Sequence, residues 1–280
     1  MSSVIILGLG LIGGSIAKNL QLTDSKVVGF DADQSSIDHA IKIGLVDQQL
    51  FDLGDLKNEE YKDSLVIIAT PPAVTLDIMH KLEFLFHSSI TITDTSSTKT
   101  ALDSALQEYG QPSNVILSHP VAGSHLSGSS NAILDLFKEK AVILSYTDKV
   151  LPIHLEKVKN LWSNLGANCI KLDSQTHDYI FSYSSHLPHV AAYALLGTLQ
   201  KVDQKNIAQF SGGGLGEFLR LTSSSPKMWA DIFSINNANI IPSIDSLIES
   251  LNEMKAIIGD RPEELESFLT KLKDFKEEYY

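Results

Sequence analysis

The chain has 280 residues, enough for one or two domains with a substantial core. Apolar residues make up 43% and charged residues 20%, which argues against a disordered, collagen-like or coiled-coil chain. Net charge is −12, from 22 basic and 34 acidic residues, so the general field repels nucleic acid and anionic membranes. Any anionic ligand must then be held by a few local cations. A single cysteine, Cys169, cannot close an intrachain disulfide and suits a reducing compartment. Residues 4–17 are apolar, but no Lys or Arg precedes them and glycines interrupt them. No run approaches the roughly 18–20 apolar residues of a membrane span, so a soluble cytoplasmic protein is expected.

Short, nearly continuous apolar runs at 4–7, 27–30, 65–69, 90–93, 115–117, 141–145 and 168–172 read as parallel strands covered on both faces. Several are separated by segments long enough for crossover helices, which predicts an α/β fold with a doubly wound sheet over residues 1–172. From 173 to 280 helix signals dominate, giving a second, all-α domain. Ser225-Pro226 reads as an N-cap followed by proline at the first helical position. Asp260 with Glu263 resembles a capping box that opens the last helix. Ile244, Leu247, Ile248, Leu251, Met254 and Ile258 mark one face of the helix before it.

Gly8-Leu9-Gly10-Leu11-Ile12-Gly13 follows the first strand directly and opens a helix-compatible stretch. In that context the glycines let a pyrophosphate approach backbone N–H groups at a helix N-terminus. Asp31 ends the second strand and is placed to accept hydrogen bonds from ribose hydroxyls while repelling a 2′-phosphate; with no arginine beside it, NAD is favoured over NADP. Thr70-Pro71-Pro72, Asp94 to Lys99, and His119-Pro120 fall just beyond later strands, where ligands bind in open α/β sheets. Ser185-His186-Leu187-Pro188-His189 sets two histidines three apart on one helical face, but no further ligands at metal spacing accompany them, and no metal is expected. Arg220, in Glu217-Phe218-Leu219-Arg220, is either a surface residue or an anion clamp.

These motifs resemble a family. GLGLIGGS, ATPP, DTSSTK, SHPVAG, SHLPH, and EFLR with the later MWADIF are similar, in order and spacing, to the prephenate/arogenate dehydrogenases of tyrosine biosynthesis. The resemblance implies a Rossmann-type nucleotide domain, a helical dimerisation domain and an active site between them, in a homodimer. It implies NAD-dependent oxidative decarboxylation of prephenate to 4-hydroxyphenylpyruvate. His119 would take the proton of the ring hydroxyl, Ser97 would hydrogen-bond both that histidine and the hydroxyl, Arg220 would hold the ring carboxylate, and His189 would lie near the substrate side chain. Gly8, Gly10, Gly13, Asp31 and Thr70 would serve the cofactor. His125 stands where the family often has an acidic residue, which favours prephenate over the ammonium-bearing arogenate. An ordinary imidazole at His119 places the acid limb of activity near pH 6.5. The rival readings are an arogenate dehydrogenase, a β-hydroxyacid-type dehydrogenase relying on a lysine such as Lys99, and a non-catalytic NAD sensor.

Overall fold

Eight strands build one sheet: β1 (Val4–Leu7), β2 (Val27–Phe30), β3 (Gln48–Gln49), β4 (Leu65–Ile68), β5 (Thr91–Asp94), β6 (Val115–Pro120), β7 (Ala141–Ser145) and β8 (Asn168–Lys171). The structure, a computed structural model, describes residues 3–123, 126, 128–202, 206–207, 209 and 212–280. The spatial order is β3-β2-β1-β4-β5-β6-β7-β8, so the chain reverses direction across the sheet between β1 and β4. That is the switch point at which doubly wound sheets bind nucleotides.

The apolar strands are explained by cover on both faces. Val4 and Ile6 of β1 join a core with α1 (Leu11–Leu20), α2 (Gln34–Lys42) and α5 (Pro152–Asn164), where Trp162 and Phe137 meet edge to face. Ile5 and Leu7 point the other way, into a second core with α3 (Pro72–Lys81) and α4 (Thr100–Glu108). Each fully buried aliphatic side chain contributes about 1.5–3 kcal/mol.

The structure departs from the sequence reading at three strands. β3 is two residues long and polar, so it carries no apolar signal. β7 runs antiparallel to β6, with Leu117 opposite Ser145 and Pro120 opposite Val142. The described residues between these strands form a short 3-10 turn at Ser129–Asn131 and no crossover helix, which a parallel return needs. β8 is an edge strand with mostly exposed residues, so the expectation of cover on both faces fails there.

Among the described residues no strand follows β8. The chain continues through α6 (Ser174–Phe181), a π-turn at Ser182–His186, and α7 (Leu187–Leu199), then α8 (Gly213–Leu219), α9 (Pro226–Ile235), α10 (Asn237–Asp260) and α11 (Leu265–Tyr279). Ser225 caps α9 as expected, its hydroxyl accepting the Met228 N–H at 3.4 Å. Asp260 does not open α11; it is the last residue of α10, and Arg261 and Pro262 break the helix while Arg261 pairs with Glu264 at 3.0 Å. The helical half packs onto the sheet half through α6 on α4 and α9 on α3.

Candidate active site

Three glycines at the end of β1 divide the work of one loop. Gly8 has φ +101°, and a Cβ there would lie 2.5 Å from the Ala69 carbonyl oxygen. A Cβ on Gly13 would lie 2.0 Å from the Gly8 carbonyl oxygen, so glycine lets α1 sit against the strand end. In front of Gly10 there is open space: a Cβ at that position would meet no atom within 4 Å. Gly10 is the N-cap of α1, no side chain caps the helix, and its first turn carries no acid. Free N–H groups and a positive dipole end therefore face that space, as a pyrophosphate requires.

Asp31 closes the loop from the side. Its Oδ2 accepts the Leu9 N–H at 2.7 Å and its Oδ1 accepts the Asp33 N–H at 3.0 Å. A carboxylate has further lone pairs, so ribose hydroxyls can still bond to it. Thr70 sits half-buried after β4; its hydroxyl bonds that of Thr75 at 2.9 Å.

At the end of β5, Asp94 is fully buried and pairs with Lys99, whose amine is also fully buried, at 2.5 Å. Asp94 also accepts the Ser96 N–H at 2.8 Å and the Ser118 N–H at 3.0 Å. Lys99 is thus spent inside the fold rather than presented to a substrate, which weighs against a lysine-dependent dehydrogenase. Ser97 lies half-buried in the same loop, and among the described residues no hydrogen bond joins it to His119.

His119 belongs to β6 itself, extended by the pairing with β7. Its Nδ1 lies 2.8 Å from Nε2 of His177, and Nδ1 of His177 lies 2.8 Å from Oδ1 of Asp178. Phe181 stacks on His177 with ring centroids 4.4 Å apart and lies 4.6 Å from His119. Burial, then the nearby His177 and Lys99, hold the His119 pKa well below 6.5. The acid limb anticipated near pH 6.5 is corrected accordingly: desolvation of the imidazolium moves it down. Burial also lowers His177. It pushes Asp178 up, but hydrogen bonds from His177, Thr100 and Lys99 outweigh this and keep that carboxyl below its usual range.

The remaining residues expected at the site lie in the helical half. His186 is buried, accepts Asn236 Nδ2–H at Nδ1 over 3.1 Å, and has its pKa lowered by burial to about 4. His189 donates Nδ1–H to the Ser185 carbonyl at 2.8 Å and stacks on Trp229 with centroids 3.6 Å apart. Arg220 heads a 3-10 turn that packs against α7; its side chain is 63% exposed, with Glu217 at 3.8 Å. The structure therefore joins His119 to buried partners on α6 and leaves Arg220 at the surface of the single chain. His125 lies outside the described residues. His177, Asp178 and Asn236 were missed by the sequence reading; the adjacent acid and histidine immediately after the last strand were the available signal.

Comparison with known proteins places the chain in a family. The family model for the prephenate dehydrogenase nucleotide-binding domain matches residues 16–171, and that for the prephenate dehydrogenase dimerization domain matches residues 173–274. The chain is 32% identical to a prephenate dehydrogenase of Bacillus subtilis over 98% of its own length and 75% of that protein. It is 27% identical to a cyclohexadienyl dehydrogenase of Zymomonas mobilis, over 92% and 89% of the two chains. The crystal structure of the Aquifex aeolicus prephenate dehydrogenase in complex with hydroxyphenyl propionate and NAD+ superposes with a TM-score of 0.90 at 31% identity, covering 100% of this chain and 99% of that one. The chain belongs to the prephenate dehydrogenase family.

Proposed function

We propose that this chain oxidises and decarboxylates prephenate to 4-hydroxyphenylpyruvate with NAD. The loop after β1 fits the cofactor: the space before Gly10 and the uncapped start of α1 receive the pyrophosphate, and Asp31 receives the ribose hydroxyls. Thr70 lines the adjoining loop. NAD, when bound, would supply the acceptor for the hydride of the ring carbon that bears the hydroxyl. His119 takes the hydroxyl proton through Nε2, the ring nitrogen not engaged by His177. The ring carboxylate leaves as CO2, its bonding electrons complete the aromatic ring as a phenolate, and His119 returns the proton to that oxygen to give the phenol. Ser97 hydrogen-bonds the hydroxyl, Arg220 holds the ring carboxylate, and His189 borders the side chain. Because aromatisation drives the loss of CO2, the protein's task is mainly orientation.

The observation that carries this reading is His119, buried and held neutral, on the sheet that also bears the glycine cradle. A relative named for prephenate, 32% identical over 98% of this chain, supports prephenate over arogenate. The test is formation of reduced cofactor from NAD and prephenate by the purified protein. His119→Asn should lower turnover by about 10²–10⁴ with NAD binding retained; near-normal turnover in that variant removes His119 from the mechanism.

The same reading divides the chain into 1–172 and 173–280 and makes it a homodimer. Ile241, Ile248, Leu251 and Ile258 on α10, with Leu269, Leu272 and Phe275 on α11, stand exposed in the single chain and are suited to cover by a second copy. No helix among the described residues is long and apolar enough to cross a membrane, and a cytoplasmic location fits the use of NAD.

A further inference from the structure

The geometry points to His177 as a positioning residue that sets the tautomer of His119, an inference resting on the role of His119 as base. The assignment follows from which atoms can donate. Asp178 accepts the Lys99 N–H at Oδ1 and the Thr100 N–H at Oδ2, each at 2.8 Å, so both of its oxygens act as acceptors. The hydrogen between Asp178 and His177 must therefore sit on His177 Nδ1. A neutral His177 with that hydrogen has a lone pair at Nε2. The hydrogen between the two rings then belongs to His119 Nδ1, and His119 Nε2 is left as the bare acceptor that a base needs.

The opposite arrangement requires an imidazolium at His177. That cation would be fully buried and close to the buried Lys99 amine, and desolvation opposes it. Phe181 packs on both imidazoles, so neither nitrogen of this pair turns to solvent for a substitute partner. The backbone reinforces the arrangement: Asn236 donates to the Asp178 carbonyl at 2.9 Å and fixes the turn of α6 that carries both residues. Without His177, nothing in this set of contacts selects the Nδ1–H form of His119.

The test compares His177→Leu with His177→Gln. Leucine removes the acceptor, whereas the Gln amide oxygen can reach the place of Nε2. Nitrogen NMR of ligand-free protein labelled at histidine reads the tautomer directly, with the His119 signal assigned through its loss in His119→Asn. Wild type should show His119 protonated at Nδ1. The Leu variant should show the Nε2–H form or a mixture, with kcat lower by at least about tenfold and the KM for NAD unchanged. This is a smaller loss than the roughly 10⁴ that follows when a charged orienting group is neutralised in a serine-protease triad. The Gln variant should recover most of kcat. An Nε2–H form of His119 in wild type overturns the proposal, as does a Leu variant with unchanged tautomer and kcat. If the Leu variant does not fold, the wild-type and Gln spectra decide. If wild type fails to turn over prephenate, the functional reading falls while the tautomer measurement still settles this one.

Discussion

Gly10→Ala and Gly13→Ala differ by three positions in the same loop, yet they should fail in opposite ways. At Gly10 the backbone (φ −73°, ψ −160°) accepts alanine, and the new methyl meets no atom within 4 Å. Folding should be unharmed, with a stability change between zero and a gain of about 1 kcal/mol from the less flexible unfolded chain. The methyl instead occupies the space before α1, so NAD affinity should fall by at least about tenfold, or about 1.4 kcal/mol. At Gly13 the methyl lands 2.0 Å from the Gly8 carbonyl oxygen, 3.1 Å from Ile6 Cγ2 and 3.2 Å from Ala69 Cβ. A carbonyl fixed in the backbone cannot rotate aside, so α1 must lift from the strand at a cost of about 1–3 kcal/mol. At roughly 2–4 °C per kcal/mol for a chain near this size, Tm should drop by about 2–12 °C. Thermal unfolding by circular dichroism and NAD titration by calorimetry separate the two effects. The reasoning is refuted if Gly13→Ala melts with the parent, or if Gly10→Ala binds NAD with an unchanged Kd.

Asp31→Ala removes both the ribose acceptor and the partner of the Leu9 N–H. Steady-state kinetics should show weaker NAD binding and a smaller preference over NADP, and an unaltered preference would dismiss Asp31 as the discriminator. Arg220→Ala should raise the prephenate KM by at least tenfold while leaving NAD affinity intact, taking one clamp of a charged substrate to be worth about 2 kcal/mol or more. Because the side chain is exposed and its pairing with Glu217 is loose, stability should move by less than about 0.5 kcal/mol; a large fall in Tm would mark Arg220 as structural instead. Acid should destabilise the fold before it titrates His186 in the folded chain. The unfolded chain protonates His186 below pH 6.5 while the folded chain resists until about 4, so stability is full above 6.5 and is lost as pH falls through that window. His186 alone accounts for about 3 kcal/mol of that loss, and denaturant midpoints at pH 7 and pH 4.5 that coincide would contradict it.

The cofactor loop was legible because everything it needs is local. A strand, a glycine spacing and a following helix lie within twenty residues, and Asp31 directly follows the adjacent strand. His119 and Ser97 were placed near strand ends by the same β-α rhythm. The relay behind His119 was not legible, since residue 119 and residue 177 meet only because α6 crosses the end of the sheet. The direction of β7 escaped for a related reason: a short apolar run has the same pattern whichever way it pairs. The apolar stripe on α10 lies on a helix, as its spacing predicts, but in the single chain Ile248, Leu251 and Ile258 remain exposed rather than packed in a core. The capping pair at Asp260 was lost to Pro262, whose helix-starting preference set the break two residues later.

Asp178 belongs to the helical half, yet it closes the first turn of α4 by accepting the N–H groups of Lys99 and Thr100. Thr100 adds a hydroxyl bond to the Ser174 carbonyl at 3.1 Å. No side chain of α4's own neighbourhood supplies that cap. When α6 separates from the sheet half, the Lys99 and Thr100 amides lose their acceptor and the start of α4 frays, although every residue of α4 precedes β6. Local opening on one side is therefore charged to the other, and hydrogen-exchange protection at the start of α4 reports on the integrity of α6. The change of architecture after β8, the last strand among the described residues, is not a seam along which the molecule comes apart.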